Sequence, residues 1–340
     1  MKVLDNYSLL QHNTFGIDAK CSRFVEYETV DELCATLQDI NHNGDTRFLH
    51  IGGGSNLLFT KDFEGIILHS AILGKECVYQ DADQILLRVG AGEVWDDFVA
   101  WCVERGCYGL ENLSYIPGEV GASAVQNIGA YGKEVCDFID TVETIEVATG
   151  KPRLFKVEEC QYAYRYSTFK SENKGKYIVT HVVYRLSKKF QPDLQYAALS
   201  RELAARNISA TSITAQALRD LVVDVRRSKL PEPSEIGSAG SFFMNPVVDK
   251  NVADRLLEQY PNMPYYLVEG GVKVPAGWLI DQCGWKGKRM GKAGVYEKQA
   301  LVLVNCGGAT GEDICQLSNA VQQDVKKKFG IAIFPEVNFI

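Results

Sequence analysis

Leu33, Leu37 and Ile40 recur at i, i+4 and i+7, the spacing of one helix face, and predict a helix over residues 30–41. Short apolar runs on either side predict strands at 24–28 and 48–51, with a third at 65–69. Residues 75–90 read as two strands leading into 93–105, where Val94, Trp95, Phe98, Val99 and Cys102 mark the apolar face of an amphipathic helix closed by Gly106. Strands are predicted at 141–148 and 177–186. Beyond a polar join at 207–212 the texture becomes more helical. Leu218, Leu221, Val222 and Val225 share a face over 214–227, and Pro231-Glu232-Pro233 stops that helix. Ile314, Leu317, Val321 and Val325 predict a last long helix over 311–329, with Thr310 as its N-cap, Asp313 completing a box-like pair and Gly330 closing it. The chain ends on a predicted strand, 334–340. The pattern as a whole is α+β, with no internal repeat.

Three glycine-rich stretches interrupt this pattern. Ile116-Pro117-Gly118-Glu119-Val120-Gly121-Ala122-Ser123-Ala124-Val125-Gln126-Asn127-Ile128-Gly129-Ala130-Tyr131-Gly132 lets backbone lie directly against a large polar ligand. Its glycines alone are equally compatible with a turn beside a buried helix end. Gly52-Gly53-Gly54-Ser55-Asn56-Leu57-Leu58 follows a strand and returns as one. It lacks the spacing and the long following helix of a GxGxxG fingerprint, which disfavours a Rossmann domain. Together the two stretches could cradle one diphosphate from two sides, leaving Asn56, Ser123, Gln126 and Asn127 to bond a ribityl chain or ring system. Two separated backbone nests fit a flavin dinucleotide better than a mononucleotide. The third stretch, residues 237–246, contains Ser241 between Gly240 and two phenylalanines. With no GxSxG elbow or matched histidine, its hydroxyl fits a proton donor better than a hydrolase nucleophile. Tyr164-Arg165-Tyr166 sets a guanidinium among aromatic rings, where partial dehydration strengthens pairing with a carboxylate; the other reading is a solvated strand end. Glu336 follows Pro335, where desolvation would suit it to acid chemistry, although a glutamate near a C-terminus is commonly a surface residue.

Composition narrows the choices. The chain has 340 residues, long for one core, and a formal charge of -7, which argues against a nucleic-acid binder. It shows no signal-peptide core and no stretch approaching a membrane span, so a cytoplasmic protein without membrane insertion is expected. The 10 cysteines form no CxxC pair and the 5 histidines no ligand cluster, so no metal site is expected.

Taken in order and at these spacings, GGGSNLL, IPGEVGASAVQNIGAYG, YRYSTFK, AGSFFMNP and the terminal PEVNF resemble the UDP-N-acetylenolpyruvoylglucosamine reductase (UDP-N-acetylmuramate dehydrogenase) family of peptidoglycan precursor synthesis. The resemblance runs from about Asn13 to the C-terminus. It implies an α+β chain with non-covalent FAD held by two subdomains of the p-cresol methylhydroxylase/vanillyl-alcohol oxidase type, residues 1–73 and 74–210. An α+β substrate domain would follow at 211–340, its last strand returning Glu336 to the active site. Cofactor contacts are implied at Gly52, Gly53, Gly54, Ser55, Asn56, Leu57, Ile116, Pro117, Gly118, Gly121, Ala122, Ser123, Gln126, Asn127, Gly129, Ala130 and Tyr131. Leu194-Gln195-Tyr196-Ala197-Ala198-Leu199 matches the mobile tyrosine loop of the family's longer type, which puts Tyr196 over the substrate. The implied catalytic set is Arg165, Ser241 and Glu336, with Tyr164 and Asn245 lining the pocket and Lys229 meeting pyridine-nucleotide or substrate phosphates. NADPH would reduce FAD and leave before UDP-N-acetylglucosamine enolpyruvate enters. The flavin would then pass hydride to the enol ether, Arg165 and a protonated Glu336 would stabilise the developing charge, and Ser241 would protonate the carbanion.

Two positions depart from the family pattern. Glu119 stands where a small or hydroxylic residue is usual, and because a carboxylate would repel a diphosphate its side chain is expected to point away. Met244 replaces a common lysine, which raises the importance of Lys229. The alternatives are another FAD oxidoreductase of the same fold acting on a sugar or hydroxy acid, often with covalently tethered flavin, and a catalytically silent flavin-binding scaffold. Neither flavin loop offers a histidine or cysteine tether before Cys136, and a monomer is expected.

Overall fold

The predicted apolar faces are the buried faces. In the computed structural model, which describes every residue except Asn43, Asp45 and Thr46, Leu33, Leu37 and Ile40 are the buried positions of the helix Val30–His42. They share a core with Val25, Tyr27 and Leu68 from a sheet in the order Lys2–Ser8, Lys20–Tyr27, Phe63–Ser70, Phe48–Ile51. The last two strands run parallel, His50 beside Leu68 and Ile51 beside His69, so Phe48–Ile51 delivers the chain into Gly52 at a sheet edge.

A second, five-stranded antiparallel sheet follows in the order Pro152–Lys156, Ile139–Glu146, Tyr177–Ser187, Gln84–Gly90, Lys75–Gln80. The helices Trp95–Glu104 and Val120–Gln126 join its core through Trp95, Phe98, Val99, Val120 and Ala124. Burying each such aromatic is worth roughly 2–3 kcal/mol, and the Trp95 indole N–H is satisfied by the Leu113 carbonyl at 2.8 Å. Gly121 lets the short helix sit close: a Cβ there would lie 2.8 Å from that of Ala91, whose carbonyl accepts the Gly121 N–H at 2.9 Å.

The chain divides into two compact units, neither continuous in sequence. The first comprises Met1–Tyr7, Cys21–Gly53 and Glu64–Arg226, the second Ser8–Lys20, Gly54–Phe63 and Arg227–Ile340. The expected boundaries at 73 and 210 differ from this division. Both sheets described above belong to the first unit, and so does the helix Ala215–Arg227 up to Arg226. Arg219 ties this helix to Asp96, its guanidinium forking onto Oδ1 and Oδ2 at 2.6 and 2.9 Å, while Asp96 Oδ1 also accepts the Tyr115 N–H at 2.5 Å.

The second unit contains the sheet Gly237–Ser238, Leu303–Asn305, Ala293–Val295, Arg289–Met290, a small three-stranded sheet, and the helix Gly311–Phe329. That helix begins with the expected capping box between Thr310 and Asp313 and ends on Gly330 in the left-handed region. Only Asn338–Phe339 of the predicted terminal strand pairs as a strand, parallel to Leu57–Leu58. Pro335 makes an isolated bridge with Phe243, because proline has no N–H with which to continue a ladder.

Gly54 is required by packing within this unit. Its φ is +66°, and a Cβ would lie 1.9 Å from the His12 carbonyl oxygen. Gly54→Ala is therefore expected to destabilise the protein by at least about 2 kcal/mol, read as a lowered midpoint in thermal unfolding. No helix among the described residues is long and apolar enough to cross a membrane.

Candidate active site

Within the first unit the two glycine stretches meet. A Cβ on Gly53 would lie 3.8 Å from Gly118 Cα, and one on Gly52 would lie 3.3 Å from Ala122 Cβ. Gly118 has φ +126°, which a side chain would strain. Among the described residues the backbone N–H groups of Gly53, Gly118 and Glu119 meet no protein acceptor. Unpartnered amides where two glycine loops touch fit an anionic group such as the diphosphate of FAD. Ile116 and Ala130, half-buried against the core, carry the second loop.

Glu119 does not point away from this place. A Cβ on Gly52 would lie 3.1 Å from Glu119 Oε2, and one on Gly53 3.4 Å from Oε1, so the carboxylate lies along both glycines. It is held there by His69, whose Nε2 is 3.0 Å from Glu119 Oε1 and whose Nδ1 is 3.0 Å from Glu26 Oε2. Burial opposes charge on His69, but hydrogen bonds to Glu119 and Glu26 outweigh it and raise the imidazole above its ordinary range. Burial lifts the Glu119 carboxyl, and His69 offsets part of that rise.

Two implied cofactor side chains are turned inward. Ser123, buried, gives its hydroxyl to the Val120 carbonyl at 2.7 Å and lies 3.1 Å from the Tyr184 hydroxyl. Asn127, in the left-handed region, donates to Glu134 and the Ala163 carbonyl and accepts from the Cys136 N–H. Its amide closes the loop that follows the helix with both N–H donors spent, so it has no donor left for a ribityl chain.

Arg165 occupies a tight turn. Ala163 and Tyr166 exchange backbone hydrogen bonds at 3.1 and 2.9 Å, and Arg165 takes φ +55° between them. The half-buried guanidinium reaches back to the second loop, Nη2 donating to the Gly129 carbonyl at 2.9 Å, with the Tyr164 ring 5.4 Å away. The solvated strand end is therefore not what forms. Tyr131 meets the exposed Tyr196 edge to face at 5.4 Å, which sets the tyrosine loop against the cofactor loop.

Arg226 was not singled out from the sequence, where it is one basic residue beside Arg227 and Lys229. Its Nε donates to the Tyr115 carbonyl at 2.9 Å. Burial pushes its guanidinium down, with Tyr131 and Asp96 favouring the charge and Arg165 opposing it. A second half-buried cation beside Arg165 makes this end of the unit receptive to anionic ligands.

In the second unit the segments that carry Ser241 and Glu336 pair through the backbone. Glu336 donates its N–H to the Phe242 carbonyl at 2.8 Å, and Met244 donates to the Phe334 carbonyl at 2.9 Å. Ser241 and Glu336 thus lie on adjacent extended segments. The Asn56 side chain donates to the Glu336 carbonyl at 3.4 Å, and Leu57 runs beside Asn338. Phe242 and Phe243 are buried while Ser241 between Gly240 and Phe242 is exposed. Asn245 accepts the N–H of Ala276 at the start of a helix, and Lys229 is exposed beyond the helix Ala215–Arg227. Among the described residues no cluster of His, Cys, Asp and Glu could hold a metal ion.

The chain is similar to known proteins along its whole length. Residues 21–157 match the family of FAD binding domains, and residues 232–340 match the C-terminal domain of UDP-N-acetylenolpyruvoylglucosamine reductase. A UDP-N-acetylenolpyruvoylglucosamine reductase of Bacteroides fragilis (strain YCH46) is 54% identical over 335 residues, 98% of this chain and 99% of its own length. One from Porphyromonas gingivalis (strain ATCC BAA-308 / W83) is 49% identical over 341 residues, covering both chains completely. The crystal structure of UDP-N-acetylenolpyruvylglucosamine reductase from Thermus caldophilus superimposes with a TM-score of 0.67 at 22% identity, over 99% of this chain and 98% of that one.

Proposed function

The chain belongs to the UDP-N-acetylenolpyruvoylglucosamine reductase family, and we propose that Arg165, Ser241 and Glu336 are the residues through which it acts on substrate. It is an FAD-dependent oxidoreductase of peptidoglycan precursor synthesis that uses NADPH and reduces UDP-N-acetylglucosamine enolpyruvate to UDP-N-acetylmuramate. When bound and reduced, FAD supplies the two-electron equivalent that adds to the enol ether.

Each residue then has one task. Arg165 pairs with the substrate carboxylate and strengthens its hold as negative charge builds on the adjacent carbon. Glu336, protonated, donates a hydrogen bond to the same charge. Ser241 gives its proton to that carbon and is reprotonated from solvent. Tyr196 covers the substrate, Tyr164 and Asn245 line its pocket, and Lys229 meets the phosphates of substrate or NADPH. Gly52–Asn56 and Ile116–Tyr131 hold FAD without a covalent bond, residues 1–73 and 74–210 serving the cofactor and 211–340 the substrate. The enzyme works as a cytoplasmic monomer, and its product feeds wall growth, cell shape and division.

The observation that carries the reading is the pairing of residues 242–244 with 334–336, which supports Ser241 and Glu336 acting at one place. An anaerobic assay tests it: NADPH should bleach the bound flavin, and the UDP-enolpyruvyl sugar added last should restore the colour. Bleaching by a simple sugar or hydroxy acid in place of NADPH, with no reoxidation by the UDP-enolpyruvyl sugar, would instead favour an oxidoreductase of other specificity.

A further inference from the structure

His69 lies between two carboxylates, each ring nitrogen 3.0 Å from one of their oxygens. An ionised carboxylate only accepts hydrogen bonds, so both contacts are satisfied together when His69 carries two ring protons. The cluster is shielded: the side chains of His69 and Glu119 are 13% and 12% exposed, and the Phe24 ring stacks on the imidazole at 6.0 Å. The other titratable groups facing it are Tyr27 and His50, hydrogen-bonded to each other at 2.7 Å. Burial, together with the charge on His69, keeps His50 neutral, at about 3. The charges are then one imidazolium and two carboxylates, +1 - 2 = -1, and loss of the His69 proton leaves -2.

We propose that His69 and Glu119 are positioning residues of the FAD cradle: imidazolium His69 clamps Glu119 against Gly52 and Gly53 and screens the diphosphate from its carboxylate. The proposal rests on the reading that these loops hold the diphosphate. Glu119 gives the second loop a tether to the first, and His69 makes that tether compatible with an anionic ligand. A diphosphate nearby favours the charged imidazole, so FAD and the proton bind with mutual support. The His69 pKa is raised above 6.5 in the folded protein. FAD affinity is therefore full below that range and declines as pH rises through the His69 pKa of the apoprotein towards that of the complex. A rise of about one unit in the His69 pKa on FAD binding corresponds to an affinity about tenfold lower above the transition.

The test titrates FAD into apoprotein and follows quenching of flavin fluorescence from about pH 6 to about pH 9, with circular dichroism of each variant as a folding control. The wild type should lose about tenfold in affinity across this range. His69→Gln should be weak throughout with no pH dependence, and Glu119→Gln should bind at least as tightly as wild type, with only the pH dependence that the remaining His69–Glu26 pair supports. The double variant should recover the affinity that His69→Gln lost, which a merely structural histidine would not allow. A pH-independent wild-type Kd, or a double variant as weak as His69→Gln, overturns the proposal. Gly53→Val separates it from the reading beneath it. Unchanged affinity in that variant removes the diphosphate from these loops altogether; lost affinity there, with His69 variants like wild type, removes only the role of the pair.

Discussion

Ser241→Ala is expected to accept electrons from NADPH at the wild-type rate and then to stall, with reoxidation of the flavin by the enolpyruvyl substrate slowed on the order of a thousandfold. Main-chain pairing makes this variant clean. Residues 242–244 pair with 334–336 through main-chain groups, and Phe242 and Phe243 anchor the segment in the core, so the fold does not depend on the Ser241 hydroxyl. Ser241 is itself exposed, where removal of a hydroxyl changes stability by about 0.5 kcal/mol or less. What disappears is the proton that quenches charge on carbon, and that proton is needed only in the second half-reaction. Anaerobic stopped-flow traces of the two halves separate the outcomes. Equal slowing of both would mean that the serine supports the cofactor environment, and no slowing of either would return it to the surface.

Much of this architecture was legible because the deciding pattern lay within one element. The apolar faces of the helices Val30–His42 and Gly311–Phe329 and the Thr310–Asp313 box depend on residues a few positions apart. The glycine loops were legible for a related reason: their composition reports what backbone can approach, whatever the approaching group is. Side-chain direction was not. Ser123 and Asn127 sit in the cofactor loop by number, yet the helical turn aims the first at Tyr184 and the left-handed turn commits the second to Glu134 and Ala163. Glu119 was expected to avoid the cradle because a lone carboxylate would repel a diphosphate. His69, fifty positions earlier near the end of the strand Phe63–Ser70, reverses that expectation, and no local pattern links the two. The same holds for Arg226 and for the helix it ends. An ion pair between Asp96 and Arg219, separated by 123 positions, ties that helix to the first unit.

Arg165→Lys is the complementary experiment, because it keeps the charge and removes the shape. Arg165 sits at φ +55° in the turn closed by Ala163 and Tyr166, a conformation that lysine tolerates as well or as badly, so the turn should survive. The fork should not. Nη2 donates to the Gly129 carbonyl at 2.9 Å and Nη1 reaches the Asn127 carbonyl at 3.4 Å, so the cofactor loop itself aims a rigid, planar guanidinium. A lysine ammonium cannot donate to Gly129 and present a planar pair to a carboxylate at once. If Arg165 acts mainly on charge that develops during the reaction, kcat should fall by about 10²–10³, with the KM for the enolpyruvyl substrate changed much less and flavin reduction by NADPH left near wild type. A raised KM at unchanged kcat would instead make Arg165 a ground-state anchor that holds substrate and transition state equally. The distinction matters for Arg226 as well. If Arg165 proves to be only an anchor, the half-buried Arg226 guanidinium, close enough to feel its charge, becomes the next cation to test.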